Sequence, residues 1–351
     1  MVGLLFLSCN ELPIGDEQFD LRGDFNAQEI ELAVNNSLTE FDLYRNLDYS
    51  ENLIVGKNSD YESRILLSFD FPDTTYSGLD EIKLTLYTNN DYNNNTINVT
   101  LHLLSNEFEE SEANWLQRST DEWWDSAGGD FDHDSLRLIE ASGDSLVISF
   151  NYIELEEIMN ADGLIIVPVD TGFMYFGSNR SASAPKFQLV KNDDVTTIEI
   201  QDDCHIVTGP EPFYIENWIG SGIHMYNYVK FVFDSVLIDE KAVYAQLSFV
   251  PEKHFIMRDS LRIGYLQLLE PLSDFDTPTS ALMASEYFGA DDTIFEIDIV
   301  KHIQHIIEYP DSNFGIFLVI YPGYTDIANY KIVDGSHTLK VGYVPSPQGR
   351  F

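Results

Sequence analysis

Ser63-Arg-Ile-Leu-Leu-Ser-Phe-Asp70, Ile82-Lys-Leu-Thr-Leu-Tyr87 and Ile97-Asn-Val-Thr-Leu-His-Leu103 follow one another with polar, turn-forming residues between them. Each alternates apolar and polar side chains with a period near two, as a strand with one wet face does. Leu146-Val-Ile-Ser-Phe150 repeats the pattern, and Thr88-Asn-Asn-Asp-Tyr-Asn-Asn-Asn95 has the composition of a hairpin tip. Many short strands separated by such turns predict a β-sandwich or barrel. Two segments depart from the period. Tyr152-Ile-Glu-Leu-Glu-Glu-Ile-Met159 and Ile299-Val-Lys-His-Ile-Gln-His-Ile-Ile307 carry apolar residues at helical spacing. A continuous apolar run follows each, Gly163-Leu-Ile-Ile-Val-Pro168 and Gly315-Ile-Phe-Leu-Val-Ile-Tyr321.

That parallel belongs to an internal repeat. Gly56 to Phe69-Asp70 has the spacing of Gly220 to Phe233-Asp234, each a turn glycine followed by a strand. The helix-and-strand segments, Leu146 to Pro168 and Ile294 to Tyr321, align next. Ala184-Pro-Lys-Phe-Gln-Leu-Val190 then corresponds to His337-Thr-Leu-Lys-Val-Gly-Tyr-Val344 as a closing strand. The expected fold is all-β: two tandem antiparallel jelly-roll-like β-sandwiches, each with one short helix. The expected division is a leader and tether over 1–26, a first sandwich over 27–191 and a divergent second over 194–346. At 351 residues the chain has room for two cores.

Composition narrows the partners. Hydrophobic residues are 44% and charged residues 22%, ordinary for a globular chain. The 23 Phe and 19 Tyr suit pleated, half-buried strands. Acidic residues outnumber basic ones 59 to 19, a net charge of −40. Nucleic acid is excluded as a partner because phosphate binding needs a basic surface, and anionic headgroups are excluded for the same reason. A surface this acidic is best tolerated where salt or divalent cations screen it. No run of ~20 apolar residues occurs, so no helical span is expected. There is no G-x-S-x-G, P-loop or Rossmann fingerprint, and no spacing singles out two carboxylates for glycoside hydrolysis. A non-enzyme is expected.

The N-terminal Met1-Val-Gly-Leu-Leu-Phe-Leu-Ser-Cys9 resembles the end of a bacterial lipoprotein signal, without its basic n-region. The resemblance implies lipidation at Cys9, removal of residues 1–8 and contact with the membrane only through that anchor. It also implies a place on the extracellular face of an outer membrane or cell surface. Asn52-Leu-Ile-Val-Gly56, Ser63 to Asp70, Ile82 to Tyr87, Trp115 with Trp123-Trp124, Gly128-Gly-Asp-Phe-Asp132 and Phe176 to Lys186 occur in one order. Together they resemble the DNRLRE family of disaggregatase-related, carbohydrate-binding-module-like sandwiches, over about residues 30–191. The second copy is similar only in outline: Tyr228 stands where the first has Arg64, and Ser273-Asp-Phe-Asp-Thr-Pro278 replaces the Trp-bearing segment. The resemblance implies secreted, polysaccharide-related sandwiches and does not fix one ligand.

The candidate binding residues are Trp115, Arg118, Trp123 and Trp124. An indole face complements the apolar C–H face of a pyranose ring, and a guanidinium pairs with a uronate or bridges polar sugar groups. The competing reading packs Trp115 and one of the paired indoles against their own loop. On an extended segment one of two consecutive Trp residues faces outward. Asp130, Asp132 and Asp134 alternate; in a strand they share a face and form the start of a Ca²⁺ site, although Ca²⁺ takes six to eight oxygens. The competing reading has Asp130 bonding loop amides. Phe69 and Phe233 are expected in the cores, with Asp70 and Asp234 accepting backbone N–H groups at strand ends. Arg64 is expected to pair across its sheet. His302 and His305, three apart, read as a polar helix face, since no third metal ligand is evident. Cys204 reads as a small buried apolar residue. The expected function is a non-catalytic surface lipoprotein binding extracellular polysaccharide. The alternative is a structural or adhesive module that engages surface proteins, without a glycan.

Overall fold

The computed structural model describes residues 28–42, 47, 50–72, 76–89, 94–209, 217–222, 224–233, 235–256, 264–269, 282–289, 292–321 and 327–345. Cys9, the rest of 1–26, residues 90–93, Asp234 and the segment 273–278 lie outside them. The strands either side of Thr88–Asn95, Glu81–Tyr87 and Ile97–Leu103, each pair with other strands and not with one another, so the hairpin expected there is not formed.

The chain opens with β1 (Gln28–Leu32) and β2 (Val34–Asp42), followed by β3 (Asn52–Lys57), β4 (Glu62–Asp70), β5 (Glu81–Tyr87) and β6 (Ile97–Leu103). A long loop carries the small hairpin β7 (Gln117–Ser119) and β8 (Glu122–Trp123). Next come β9 (Arg137–Ala141), β10 (Ser145–Ser149), helix α1 (Tyr152–Asn160), β11 (Leu164–Pro168), β12 (Gly172–Gly177), β13 (Lys186–Lys191) and β14 (Asp194–Thr208). The second half runs β15 (Trp218–Ser221), β16 (His224–Phe231), β17 (Lys241–Phe249), β18 (Pro251–Ile256), β19 (Gly264–Leu269), β20 (Leu282–Phe288) and β21 (Phe295–Asp298). Helix α2 (Val300–Glu308), β22 (Ile316–Tyr321), β23 (Ala328–Ile332) and β24 (Thr338–Val344) complete it. The fold is all-β, with sheets packed as sandwiches and one short helix in each half.

The two halves share one strand order. The first reads β10-β5-β13-β14-β4-β11-β6-β9, with β3 and β12 attached through β4. The second reads β21-β17-β24-β1, then β2-β16-β22-β19-β20, with β15, β23 and β18 attached in turn through β16. β18 lies on β23 where the first half has an isolated bridge of Thr88 with Phe176. In the first half the long strand β14 joins both layers. It pairs with β13 up to Ile198 and with β4 from Glu199, the register shifting between Ile200 and Asp203. In the second half β1 and β2 take that place, β1 on β24 and β2 on β16. Each half of the sequence therefore opens with a strand that it gives to the other. Residues 28–42, expected to begin the first sandwich, complete the second; residues 194–208, expected to begin the second, complete the first. The expected boundary near 193 is the tip of a hairpin, where Lys191 pairs with Asp194 and Asn192 and Asp193 take positive φ. Asn and Asp tolerate that conformation, as a two-residue hairpin turn requires.

Two separate cores follow. One is built from residues such as Leu53, Ile65, Leu84, Leu101, Leu164 and Phe187. The other is built from Val229, Leu247, Ile303, Leu318 and Val341, and Leu32 of β1 belongs to it. Helix α1 is closed by a capping box: Asn151 accepts from the amides of Ile153 and Glu154, and Glu154 accepts from that of Asn151. Helix α2 has no such side-chain cap and is held by a face of buried His302, Ile303, Ile306 and Ile307. A third cluster, Ile54, Tyr61, Phe173 and Tyr175 against Ile327, lies between the halves, where Asn329 Nδ2 also donates to the Tyr61 hydroxyl.

Candidate functional site

The Trp-bearing loop, residues 104–136, leaves β6 and returns to β9. Asp130 organises its tip. Asp130 Oδ1 accepts the Ser126 amide at 2.8 Å, and Oδ2 accepts the Asp125 amide at 2.9 Å and Asn106 Nδ2 at 3.0 Å. Asn114 organises its middle, accepting the amides of Leu116 and Gln117. Below, Arg64 of β4 donates to the Gly128 carbonyl at 2.7 Å, with its guanidinium 4.7 Å from the Trp115 ring centre. His102 of β6 bonds the Asp132 carbonyl through Nδ1 at 2.7 Å and packs on Phe131. Burial lowers the His102 pKa, an effect the Asp132 hydrogen bond opposes. The loop is thus anchored to the sheet by a cation and an imidazole.

This anchoring separates the three indoles. Trp124 is 5% exposed and packs with Leu66, Phe108 and Ile165, its Nε1 donating to the Asn114 carbonyl at 2.9 Å. Trp115 is half-buried under Arg64. Trp123 is 55% exposed. The outward indole of the pair is therefore Trp123, while Trp124 and Trp115 serve the packing of the loop. Arg118 is half-buried and paired with Glu122 at 2.8 Å, with a further bond to the Glu107 carbonyl.

Beside the hairpin opens a cleft of about 490 Å³. Phe69, Phe71, Phe108 and Met159 give it an apolar side. Asp70, Glu107, Glu109, Glu122, Asp162 and Asp202 give it a carboxylate-rich side, and Arg118 is the basic residue among its lining. The sequence pointed to Arg118 but not to the cleft, whose walls come from segments far apart in the chain. Asp70, expected to bond backbone amides at the end of β4, is exposed and lines this cleft instead. Phe69 packs against the core as expected, edge-on to Phe187 at 5.0 Å.

The aspartate series does not form the expected face. Residues 128–134 are not a strand; only Phe131 makes an isolated bridge, to Leu104. Asp130 points into the loop, while Asp132 and Asp134 are exposed. Among the described residues no group of three or more His, Cys, Asp or Glu side chains is arranged to hold a metal ion. Arg64 pairs with Glu62 two residues away on its own strand and reaches the loop, rather than crossing the sheet. The histidines of α2 separate: His302 is 1% exposed, while His305 is exposed and packs on Tyr309. Burial lowers the His302 pKa to about 4, so this imidazole is neutral and part of the interior instead of a polar face. Cys204 is a buried thiol in the cluster under Trp124, as expected of a small buried apolar residue. No helix among the described residues is long and apolar enough to cross a membrane.

No protein-family model matches the chain, and no curated protein matches it. The likeness to the DNRLRE family therefore rests on the quoted residues alone.

Proposed function

We propose that the chain is a non-catalytic surface protein that binds an extracellular polysaccharide at the β7–β8 hairpin, with Trp123 as the platform on which a sugar ring stacks. The observation that carries this reading is the contrast within one dipeptide: Trp124 is sealed and hydrogen-bonded, and Trp123 stands 55% exposed on a hairpin held down by Trp124. A rigid, outward indole next to a polar cleft meets the two needs of sugar binding, an apolar face and hydrogen-bonding groups for hydroxyls. The charge of the cleft selects the ligand class. Its carboxylates repel a polyanion, and Arg118 is already matched by Glu122, so a neutral glycan is favoured over a uronate. Anchoring through a lipid on Cys9 completes the reading and rests on the Leu7-Ser8-Cys9 signature.

Affinity gel electrophoresis over neutral and uronate polysaccharides tests it. The wild-type chain is retarded by a neutral polymer, Trp123→Ala is not, and the melting temperatures of the two agree. Migration unaffected by every polymer, or retardation that survives Trp123→Ala, rejects the reading. The adhesive alternative draws on Leu138, Val147 and Ile153, which are 62%, 51% and 67% exposed on β9, β10 and α1. It predicts a surface-protein partner lost when these apolar residues are made polar, with Trp123 dispensable.

A further inference from the structure

Two walls of the cleft are built from paired acids of which one faces the cleft and the next does not. Glu109 and Asp202 line it, while their neighbours Glu110 and Asp203 belong to a group of ionisable residues behind it. Asp203 is 2% exposed. Its Oδ2 accepts the Asn179 amide at 2.6 Å, and its Oδ1 is buried without a hydrogen-bond partner. Glu110 pairs with Arg180 at 3.2 Å. Three segments meet there: the turn at 109–113 that starts the Trp-bearing loop, the loop at 178–183 after β12, and β14 just beyond its register shift.

The charges facing Asp203 come from each of these segments. Glu110 on the turn and Asp202 on β14 oppose its ionisation; Arg180 and the Asn179 amide favour it. His205, two residues along β14, is held neutral by burial and adds no charge. Desolvation outweighs the favourable partners and raises the Asp203 pKa from 3.8 to about 7. A protonated Asp203 leaves Arg180 to Glu110. An ionised Asp203, held through the amide of Asn179 next to Arg180 in the chain, is a second anion competing with Glu110 for one guanidinium.

We propose that Asp203 is a proton-operated latch for the glycan-binding loop: protonated, it lets the Glu110–Arg180 pair clasp the 109–113 turn; ionised, it loosens that clasp and the β7–β8 hairpin with it. This rests on the glycan reading for its consequence, though not for its mechanism. The sign follows from linkage. A carboxyl whose folded pKa is raised binds its proton more tightly in the folded state, so its contribution is lost as pH rises from the unfolded value through about 7. The loop is firmer, and glycan affinity higher, on the acid side.

Amide hydrogen exchange of the full chain, corrected for intrinsic pH dependence, reads the latch without any ligand. Between about pH 6 and pH 8 the amides of residues 109–124 lose protection roughly ten-fold in the wild type, and Asp203→Asn keeps them protected throughout. A wild-type profile without this step overturns the latch, as does a step that persists in Asp203→Asn. Should Asp203→Asn fail to fold, the ¹³C carboxyl titration of Asp203 in the wild type decides: a midpoint in the ordinary carboxylate range overturns the proposal, and one near neutrality with exchange in step supports it. Glycan retention that does not change with pH removes the latch while leaving the binding reading intact; a pH-dependent loop without glycan retention does the reverse.

Discussion

A Cβ placed on Gly128 would sit 2.6 Å from Arg64 Nη1 and 2.8 Å from Trp115 Cζ2, at a backbone φ of +91°. Space and conformation both demand glycine there, because the guanidinium and the indole close over the position a Cβ would take. Gly128→Ala should therefore destabilise the first unit by about 1–3 kcal/mol, read as a lower denaturation midpoint. Trp124→Ala removes a buried indole and its hydrogen bond and should cost about 3–5 kcal/mol, whereas Trp123→Ala should stay within about 0.5 kcal/mol. Equal costs for the two indoles would contradict the sealed-and-exposed arrangement. At this scale the opposite facing of Trp123 and Trp124 was legible, since alternation along an extended segment demands it. The choice between them was not. It depends on the Asn114 carbonyl that receives the Trp124 N–H, and on Leu66 and Ile165 beneath, residues tens of positions away. The expected aspartate face failed for a related reason: alternation says nothing once a segment is a loop, and Asp130 had three loop donors to satisfy.

Strands β1 and β2 complete sheets whose other members begin at Trp218. Leu32 is 3% exposed in the core of the second unit, with Ile30 and Val34 packed against the same cluster. Leu32→Asp would bury an unpaired charge in that core and leave the first core untouched. The expected outcome is a biphasic unfolding curve, with the transition of the second unit lowered and that of the first, followed through Trp124 fluorescence, retained. A lowered first transition with an intact second would assign β1 to the wrong half. Element types were readable along much of the chain because period-two alternation and the two helical stretches are local signals. Partner choice was not local. β14 and the β1–β2 pair stand in equivalent positions of the repeat, and their alternation alone does not say which copy they complete. Sequence spacing therefore detected the duplication and could not show that the opening strands had been exchanged.

The exchange makes the two halves of the whole molecule interdependent in a way that depends on where the chain is cut. A cut in the turn between Asn192 and Asp193 leaves β1 and β2 with the body of the first unit and β14 with the body of the second. Each fragment then carries the strand that closes the other and lacks its own, so both layers of each sandwich lose the strand that joins them. A cut after Gly209 leaves the first sandwich complete, with β1 and β2 as a loose arm, and leaves the second without its closing strand. Exposed strand edges of that kind pair with any available chain. The first cut should give fragments that are unstable as separate monomers and reassemble as a one-to-one complex with native circular dichroism when refolded together. The second should give an amino-terminal fragment that folds alone and melts near the first transition of the intact chain, and a carboxy-terminal fragment that folds only when a peptide of residues 28–42 is supplied. Size-exclusion chromatography and thermal melts of the four fragments distinguish the cases. Stable, independent monomers from the cut at the turn would mean that each opening strand pairs within its own copy, and the reciprocal exchange would have to be abandoned.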